Sequence, residues 1–235
     1  MKIKIVHLIL LAFLVSIFLT HCEDKKRENT VGVISFVKGK AVVERNSKKT
    51  DLKYGEKVWE GDKIFTYNNS VLVLVFHNDL GEMEIQSNTV LTINSLLKQI
   101  QSIQVQKGSV WTRITKLGKG NEFYLHTPTS VASVRGTKFY TFQIGAYQGT
   151  CHCEGQIQLE LKDQEYNKVN LKDILVFYKD KKNVVINPED WKPPKSKEER
   201  HRHSQIDNSP LGQRNNLTKV ESDMLLKTID GLFQK

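Results

Sequence analysis

A chain of 235 residues is long enough to bury a full hydrophobic core, as one β domain of sandwich or barrel size or as two small domains. Its formal charge of +9 is dispersed: residues 23–186 carry 24 basic against 18 acidic side chains, and the tail from 187 carries 9 against 8. No stretch has the dense basic cluster of a nucleic-acid groove, so DNA and RNA are excluded as expected partners, while weak attraction to an anionic surface stays compatible with the composition.

The N-terminus speaks to localisation. Lys2 and Lys4 precede an apolar run from Ile5 to Thr20, and polarity returns abruptly at Glu23, Asp24, Lys25, Lys26 and Arg27. This is the layout of a signal peptide over residues 1–21. Leu19-Thr20-His21-Cys22 resembles a bacterial lipoprotein cleavage motif, although His21 stands where a small residue is usual. Cys22 is therefore the expected lipidation site, heading a linker over 22–30. The competing reading is an uncleaved signal anchor in the inner membrane, for which a sixteen-residue run is short of the ~20 needed to span as a helix.

Short β-rich runs follow at Val31–Val37, Lys40–Arg45 and Lys57–Thr66, divided by Gly39, the polar segment Asn46–Asp51, Gly55 and Gly61-Asp62. Turn signals at this frequency predict an all-β domain. Val71–Phe76 is a continuous apolar run that predicts a strand buried on both faces. Strands are predicted at Glu82–Gln86, Val90–Ile93, from Ile103, and at Val110-Trp111, with Leu96–Gln99 a turn or strand end.

Phe123–Ile144 reads as two alternating strands around a hinge. Phe123, Leu125 and Thr127 share one face of the first strand; Tyr140, Phe142 and Ile144 share one face of the second. Between them Pro128 lacks a ladder donor and Gly136 admits a backbone shape that a Cβ forbids. Arg135 and Thr137 flank that bend, and Arg135 reads either as a ligand-binding cation or as a structural arginine.

In the run from Cys151 to Lys162, Cys151, Cys153, Gly155, Ile157, Leu159 and Leu161 occupy one parity and polar residues the other. Both thiols are expected on the core side as small hydrophobes, with His152 facing away, which disfavours a disulfide, a redox pair or a metal site. Gly39, Gly108 and Gly155 each sit in a strand with an apolar residue two positions on, a pattern suited to a bulge or a close crossing. The last strands are predicted at Val169–Leu171, Ile174–Tyr178 and Val184–Ile186.

Residues 187–216 are polar and proline-punctuated and read as a linker, in which His201 and His203 are expected to be solvated. Residues 217–235 form an amphipathic stripe, Val220, Met224, Leu225, Ile229, Leu232 and Phe233, expected as a helix docked on its own domain or free for a partner or membrane surface.

Trp59-Glu60-Gly61-Asp62-Lys63-Ile64 with Thr66 and Ser70, then Thr89–Ile93, Gln106–Val110, Thr127-Pro128, Val134-Arg135-Gly136-Thr137-Lys138-Phe139 and Glu154–Ile157, are similar in order to the FecR domain. The resemblance covers residues 31–186. It implies a single extracytoplasmic domain of short antiparallel strands, sandwich-like, barrel-like or an irregular β-solenoid. It also implies that Gly61, Asp62, Thr127, Pro128, Arg135, Gly136 and Thr137 are architectural. In founding members the domain relays a signal from an outer-membrane receptor to a cytoplasmic anti-sigma segment. Only Met1–Lys4 precede the apolar run here, so that segment is expected to be missing.

The expected function is thus a lipid-anchored envelope module, facing the periplasm or the cell exterior, that binds another envelope or outer-membrane protein without catalysis. The alternative is a polysaccharide binder, with Trp59, Trp111 and Trp191 stacking on sugars, unless Trp59 and Trp111 serve as core. No nucleophile elbow, phosphate loop, dinucleotide fingerprint or paired metal ligands occur, so neither cofactor nor metal is expected. His126 near Thr127 and Thr129 is the nearest approach to a nucleophile with a base, and an acidic pair assembled from distant strands would mark a hydrolase.

Overall fold

The computed structural model describes residues 30–115, 117–144, 147–161, 164–170, 174–180, 182–186, 227 and 229–234. Its strands are β1 (Thr30–Lys38), β2 (Ala41–Arg45), β3 (Lys48–Asp51), β4 (Lys57–Trp59), β5 (Lys63–Thr66), β6 (Val71–Phe76), β7 (Gly81–Ile85) and β8 (Val90–Ser95). They continue as β9 (Ile100–Lys107), β10 (Val110–Ile114), β11 (Glu122–His126), β12 (Ser130–Ile144), β13 (Tyr147–Leu161), β14 (Gln164–Asn170), β15 (Ile174–Lys179) and β16 (Lys182–Ile186).

All sixteen belong to one sheet, whose main path runs β3-β2-β5-β8-β9-β11-β12-β10-β7-β6-β1-β4, with β14, β15 and β16 reached through β13. The pairs are antiparallel except β9 with β11. The sheet is curled, and the chain is all-β as predicted from its turn frequency. Irregular-solenoid stacking is not the arrangement found.

The curl originates in β12. One edge of this strand pairs with β13 along its whole length. The other edge holds β11 over Val131–Val134 and then β10 over Thr137–Thr141. The changeover falls on Arg135-Gly136, where the register with β13 also shifts. The predicted hinge between two strands is therefore a bulge inside one long strand, which bends without breaking its pairing. Gly136 has φ +60 and faces Gly155, φ +83; a Cβ on Gly155 would lie 2.7 Å from the Gly136 carbonyl oxygen. The close crossing suggested by the recurrent glycines is thus present at this corner. Thr137 is buried beside it, and Arg135 is exposed.

The two halves close over a common core. Ile34, Leu72, Leu74, Met83, Ile85, Leu91, Ile93, Ile103, Leu125 and Phe139 are fully buried in it. Phe76 of β6 meets Phe123 of β11 with ring centroids 6.5 Å apart, joining strands that lie on opposite sides of β12 in the path. β6 is buried at five of its six positions, as its unbroken apolar run required. Lys57–Thr66, read as one run, is split into β4 and β5 by a turn at Gly61. β3 was invisible to hydrophobic periodicity because all four of its residues are exposed on an edge strand. It is set up by Asn46 and Ser47, both at positive φ in a two-residue turn.

Arg45 and Asp62 draw the two ends of the path together. Arg45 Nε donates to Asp62 Oδ1 at 2.6 Å and Nη2 to Oδ2 at 2.6 Å. The same carboxylate accepts the Trp59 amide at 2.9 Å, and Arg45 Nη2 reaches the Lys57 carbonyl at 3.5 Å. The guanidinium also lies 3.8 Å from the centroid of the Trp59 ring. β2, near one end of the path, is thereby clasped to β4 at the other. Asp62 is fully buried while the Arg45 side chain is 38% exposed. The hydrogen bond to Asp62 raises the Arg45 pKa further above its ordinary value.

At the C-terminus residues 229–233 are helical and Ile229 is buried. Asp230 accepts a hydrogen bond from the Tyr147 hydroxyl and lies 3.7 Å from Lys179 Nζ, and Phe233 meets Tyr147 with centroids 5.7 Å apart. This segment docks on β13 and β15. Residues 1–29 and 187–226, including Cys22, Trp191, His201 and His203, lie outside the described residues.

Removing Arg45 strands a buried carboxylate that keeps only backbone donors. Arg45→Ala should cost about 2–3 kcal/mol, below the range for a fully buried pair because the guanidinium is partly solvated. Denaturant unfolding of Arg45→Ala, Asp62→Ala and the double variant checks this. A coupling of at least ~1 kcal/mol is expected from the cycle.

Candidate partner-binding site at the hydroxyl-tied end

The sheet has two ends. One carries the Trp59–Asp62 turn and the start of β1. At the other, four connections meet: Gly39-Lys40, Tyr67–Ser70, Gln86–Thr89 and Gly108-Ser109. Small hydroxyl side chains tie them together. Thr66 Oγ1 donates to the Gln86 carbonyl and accepts the Thr89 amide at 3.0 Å. Ser70 Oγ accepts the Lys40 amide at 2.8 Å, and Ser87 Oγ accepts the Ser70 amide at 3.1 Å and returns a bond to its carbonyl at 2.9 Å. Thr89 Oγ1 accepts the Ser109 amide at 2.9 Å and donates to its carbonyl at 3.1 Å. Gly108, at φ +90, lets this loop pack where a Cβ would sit 2.5 Å from Thr89 Cα. Thr66, Ser70, Thr89 and Thr127 are all buried, so each hydroxyl replaces water for backbone groups that the turns leave unpaired.

The turn between β11 and β12 completes this end. Thr127 faces the core with Phe123 and Leu125, as the alternation predicted, and its Oγ1 accepts the amides of Thr129 at 3.2 Å and Ser130 at 2.9 Å. Its own amide bonds the Ser130 carbonyl at 2.8 Å. Pro128 is exposed at the tip, where no amide hydrogen is needed. Thr129 Oγ1 then bonds Gln148 Oε1 at 2.7 Å, fastening the turn to β13.

Beside this turn opens a pocket of about 20 Å³, room for roughly one water. Its polar wall consists of Lys107, the turn from Thr127 to Ser130, Thr141, Gln148, Thr150 and Tyr178; Phe142, Leu159 and Val176 supply the apolar wall. The Thr141 hydroxyl is buried there without a hydrogen-bond partner among the described residues. Gly149 admits the Phe142 ring, since a Cβ would lie 2.7 Å from Phe142 Cζ. Phe142 stacks on Tyr140 at 5.4 Å, and the Tyr140 hydroxyl bonds Gln86 Oε1 at 2.9 Å. Burial pushes the Tyr140 phenol up to about 12.

The lining holds no carboxylate and no imidazole. His126 lies on the other face of β11 from Thr127 and neighbours Tyr124, and the Thr127 hydroxyl is occupied by its turn. The arrangement can recognise hydrogen-bonding groups but sets up no nucleophile with a base.

The predicted motif residues separate into three places: Gly61 and Asp62 at the clasp, Thr127 and Pro128 at this pocket, and Arg135, Gly136 and Thr137 at the β12 corner. Ser87, Gln148 and Thr141 were not singled out from the sequence. Their signal, small hydroxyls beside turn residues, recurs throughout the chain and selects nothing by itself. Trp111 is buried, and one face of the half-buried Trp59 is taken by Arg45.

Residues 62–161 match the model of the FecR protein family. The chain carries a FecR domain over this stretch. The match begins at the clasp carboxylate Asp62 and ends with β13, inside the 31–186 suggested by the motifs. No curated protein matches the chain. Among solved structures, two crystal structures of a proposed anti-sigma factor from Parabacteroides distasonis ATCC 8503 are similar to this FecR-domain protein, each with 13% identity and a TM-score of 0.47. The likeness covers 53% of this chain and 59% of that one, so the chain spans about three fifths of its length. A third structure, described as a cell surface anchoring domain, has 22% identity and a TM-score of 0.25, covering 26% of this chain and 82% of that one.

One placement overturns the alternation of β13. Cys151 is buried, as expected, while the side chain of Cys153 lies outside what is described; His152, however, is fully buried as well. β13 is flanked by β12 and β15 here, and Tyr147 and Cys151 on one parity and Thr150 and His152 on the other are all buried. A strand covered on both faces loses the rule that polar parity means solvent. Neither ring nitrogen of His152 has a hydrogen-bond partner among the described residues, and no group of three metal-binding side chains occurs among them.

Burial lowers the His152 pKa from 6.5 to about 4. Above pH 6.5 the ring is neutral in both states. As pH falls from 6.5 toward 4 the unfolded chain takes up a proton that the folded chain excludes. Stability present above that window is therefore lost through it, by on the order of 3 kcal/mol. Urea midpoints across this range should fall steeply for the native chain and more gently for His152→Leu.

Proposed function

We propose that this FecR-domain protein is exported, lipid-anchored through Cys22, and acts without catalysis as a binding and signal-relay module for another envelope protein. The partner is engaged by the hydroxyl-tied end. The observation that carries this reading is the pocket at Thr127–Ser130: a site of hydroxyl, amide and ammonium groups with no acid–base pair, set on loops cross-tied by buried Ser and Thr. Such a surface is preformed, so binding incurs little ordering entropy. Export is supported by the signal-like N-terminus. Among the described residues no helix is long and apolar enough to cross a membrane. Burial of Trp111 and the covering of one face of Trp59 by Arg45 weigh against polysaccharide binding through those two rings.

Mass spectrometry of the mature N-terminus should find diacylglycerol on Cys22, and a photocrosslinker replacing Pro128 in cells should capture a protein that one replacing Thr50, on the edge strand β3, does not. A free or absent Cys22 removes the anchor. Capture of glycan alone removes the protein partner.

A further inference from the structure

The chain enters the domain at the end opposite the pocket, and that end is built to meet a surface. Thr30 pairs with Trp59, and Cys22 lies eight residues upstream of it. Fully extended, those residues reach at most about 29 Å, so a lipid on Cys22 keeps the Trp59 end near the bilayer.

Glu60, next to Trp59, clamps the turn that joins β8 to β9. Its Oε1 accepts Ser95 Oγ at 3.3 Å, the Leu96 amide at 2.7 Å and the Leu97 amide at 2.9 Å. The clamp turns Leu96 into the core and leaves Leu97 43% exposed, and Ile100, which opens β9, is 62% exposed. The other exposed large hydrophobics among the described residues are Tyr54 and Tyr67, so both exposed aliphatic side chains belong to this one turn. Single exposed apolar residues are ordinary, but two aliphatics held outward on a clamped turn beside the attachment point form a directed patch.

The surrounding charge fits an anionic surface. Lys98 stands between the two aliphatics, Lys119 lies in the loop before β11, Lys48 at the β2–β3 turn and Arg135 at the β12 corner, all exposed. Among the described residues the carboxylates marked as exposed at this end are Asp79 and Glu122, and Glu122 already accepts a bond from the Tyr124 hydroxyl at 2.6 Å.

We propose that the Leu97–Ile100 turn docks on the anionic bilayer to which the protein is anchored, Leu97 and Ile100 entering below the headgroups while the neighbouring cations lie over them. This rests on the lipid-anchored reading of Cys22. It orients the domain with the Thr127–Ser130 pocket directed away from the membrane.

The test reconstitutes the full-length protein into vesicles of acyl-brominated phosphatidylcholine with and without phosphatidylglycerol. Leu97→Trp and Pro128→Trp, at opposite ends, are each compared with the unsubstituted chain. Flotation reports the anchor and quenching of the added tryptophan reports the docking. Emission added at 97 should be lost, emission added at 128 should persist, and the loss at 97 should weaken without phosphatidylglycerol. A chain that floats while 97 escapes quenching, or is quenched equally with 128, overturns the docking and leaves the anchor standing. A chain that does not float overturns both, and quenching indifferent to phosphatidylglycerol overturns the anionic requirement.

Discussion

A single curled sheet leaves two strand ends to be joined, and here a buried carboxylate joins them. Asp62 accepts two bonds from Arg45 and one from the Trp59 amide, while Arg45 covers the Trp59 ring and reaches the Lys57 carbonyl. The desolvation cost of Asp62 is offset by these three hydrogen bonds, two of them charge-assisted. Glu60, two residues from Asp62 in the same turn, shapes the β8–β9 turn. The core closure and the outward set of Leu97 thus share a support.

The second constraint is the long strand β12. By exchanging β11 for β10 along one edge it carries the sheet around the core, and the exchange takes place where Gly136 and Gly155 let two backbones approach. The motif around Arg135 is accordingly a corner. With the clasp at one seam and the corner at the other, the hydroxyl-tied loops project from a scaffold with little freedom to splay. That suits a surface that must present fixed hydrogen-bonding groups, and the proposed attachment and recognition fall at opposite ends of it, near Trp59 and near Thr127.

Much of the architecture was legible in the residues. Turn density announced an all-β chain, the unbroken run of β6 announced a strand covered on both faces, and the glycines at 108 and 155 announced close crossings. These are local properties: a strand's alternation and a glycine's missing Cβ act within a few residues of themselves. β3 escaped notice because an exposed edge strand has no hydrophobic face to reveal, and the bend expected at Gly136 lies inside one long strand, which the residues alone do not show because a bulge and a turn use the same residue types.

Other features depend on partners far along the chain. Arg45 gives no local sign that it will meet Asp62, and His152 carries the polar parity of β13 yet is buried, because residues of both parities are covered along that part of the strand. The same holds for the pocket, whose walls come from β9, β12, β13 and β15. The amino-acid order alone therefore specified the strands, their turns and the family motif. Which motif residue became clasp, corner or pocket wall followed from long-range pairing, since burial and charge neutralisation depend on what is brought alongside and not on what is adjacent in the chain.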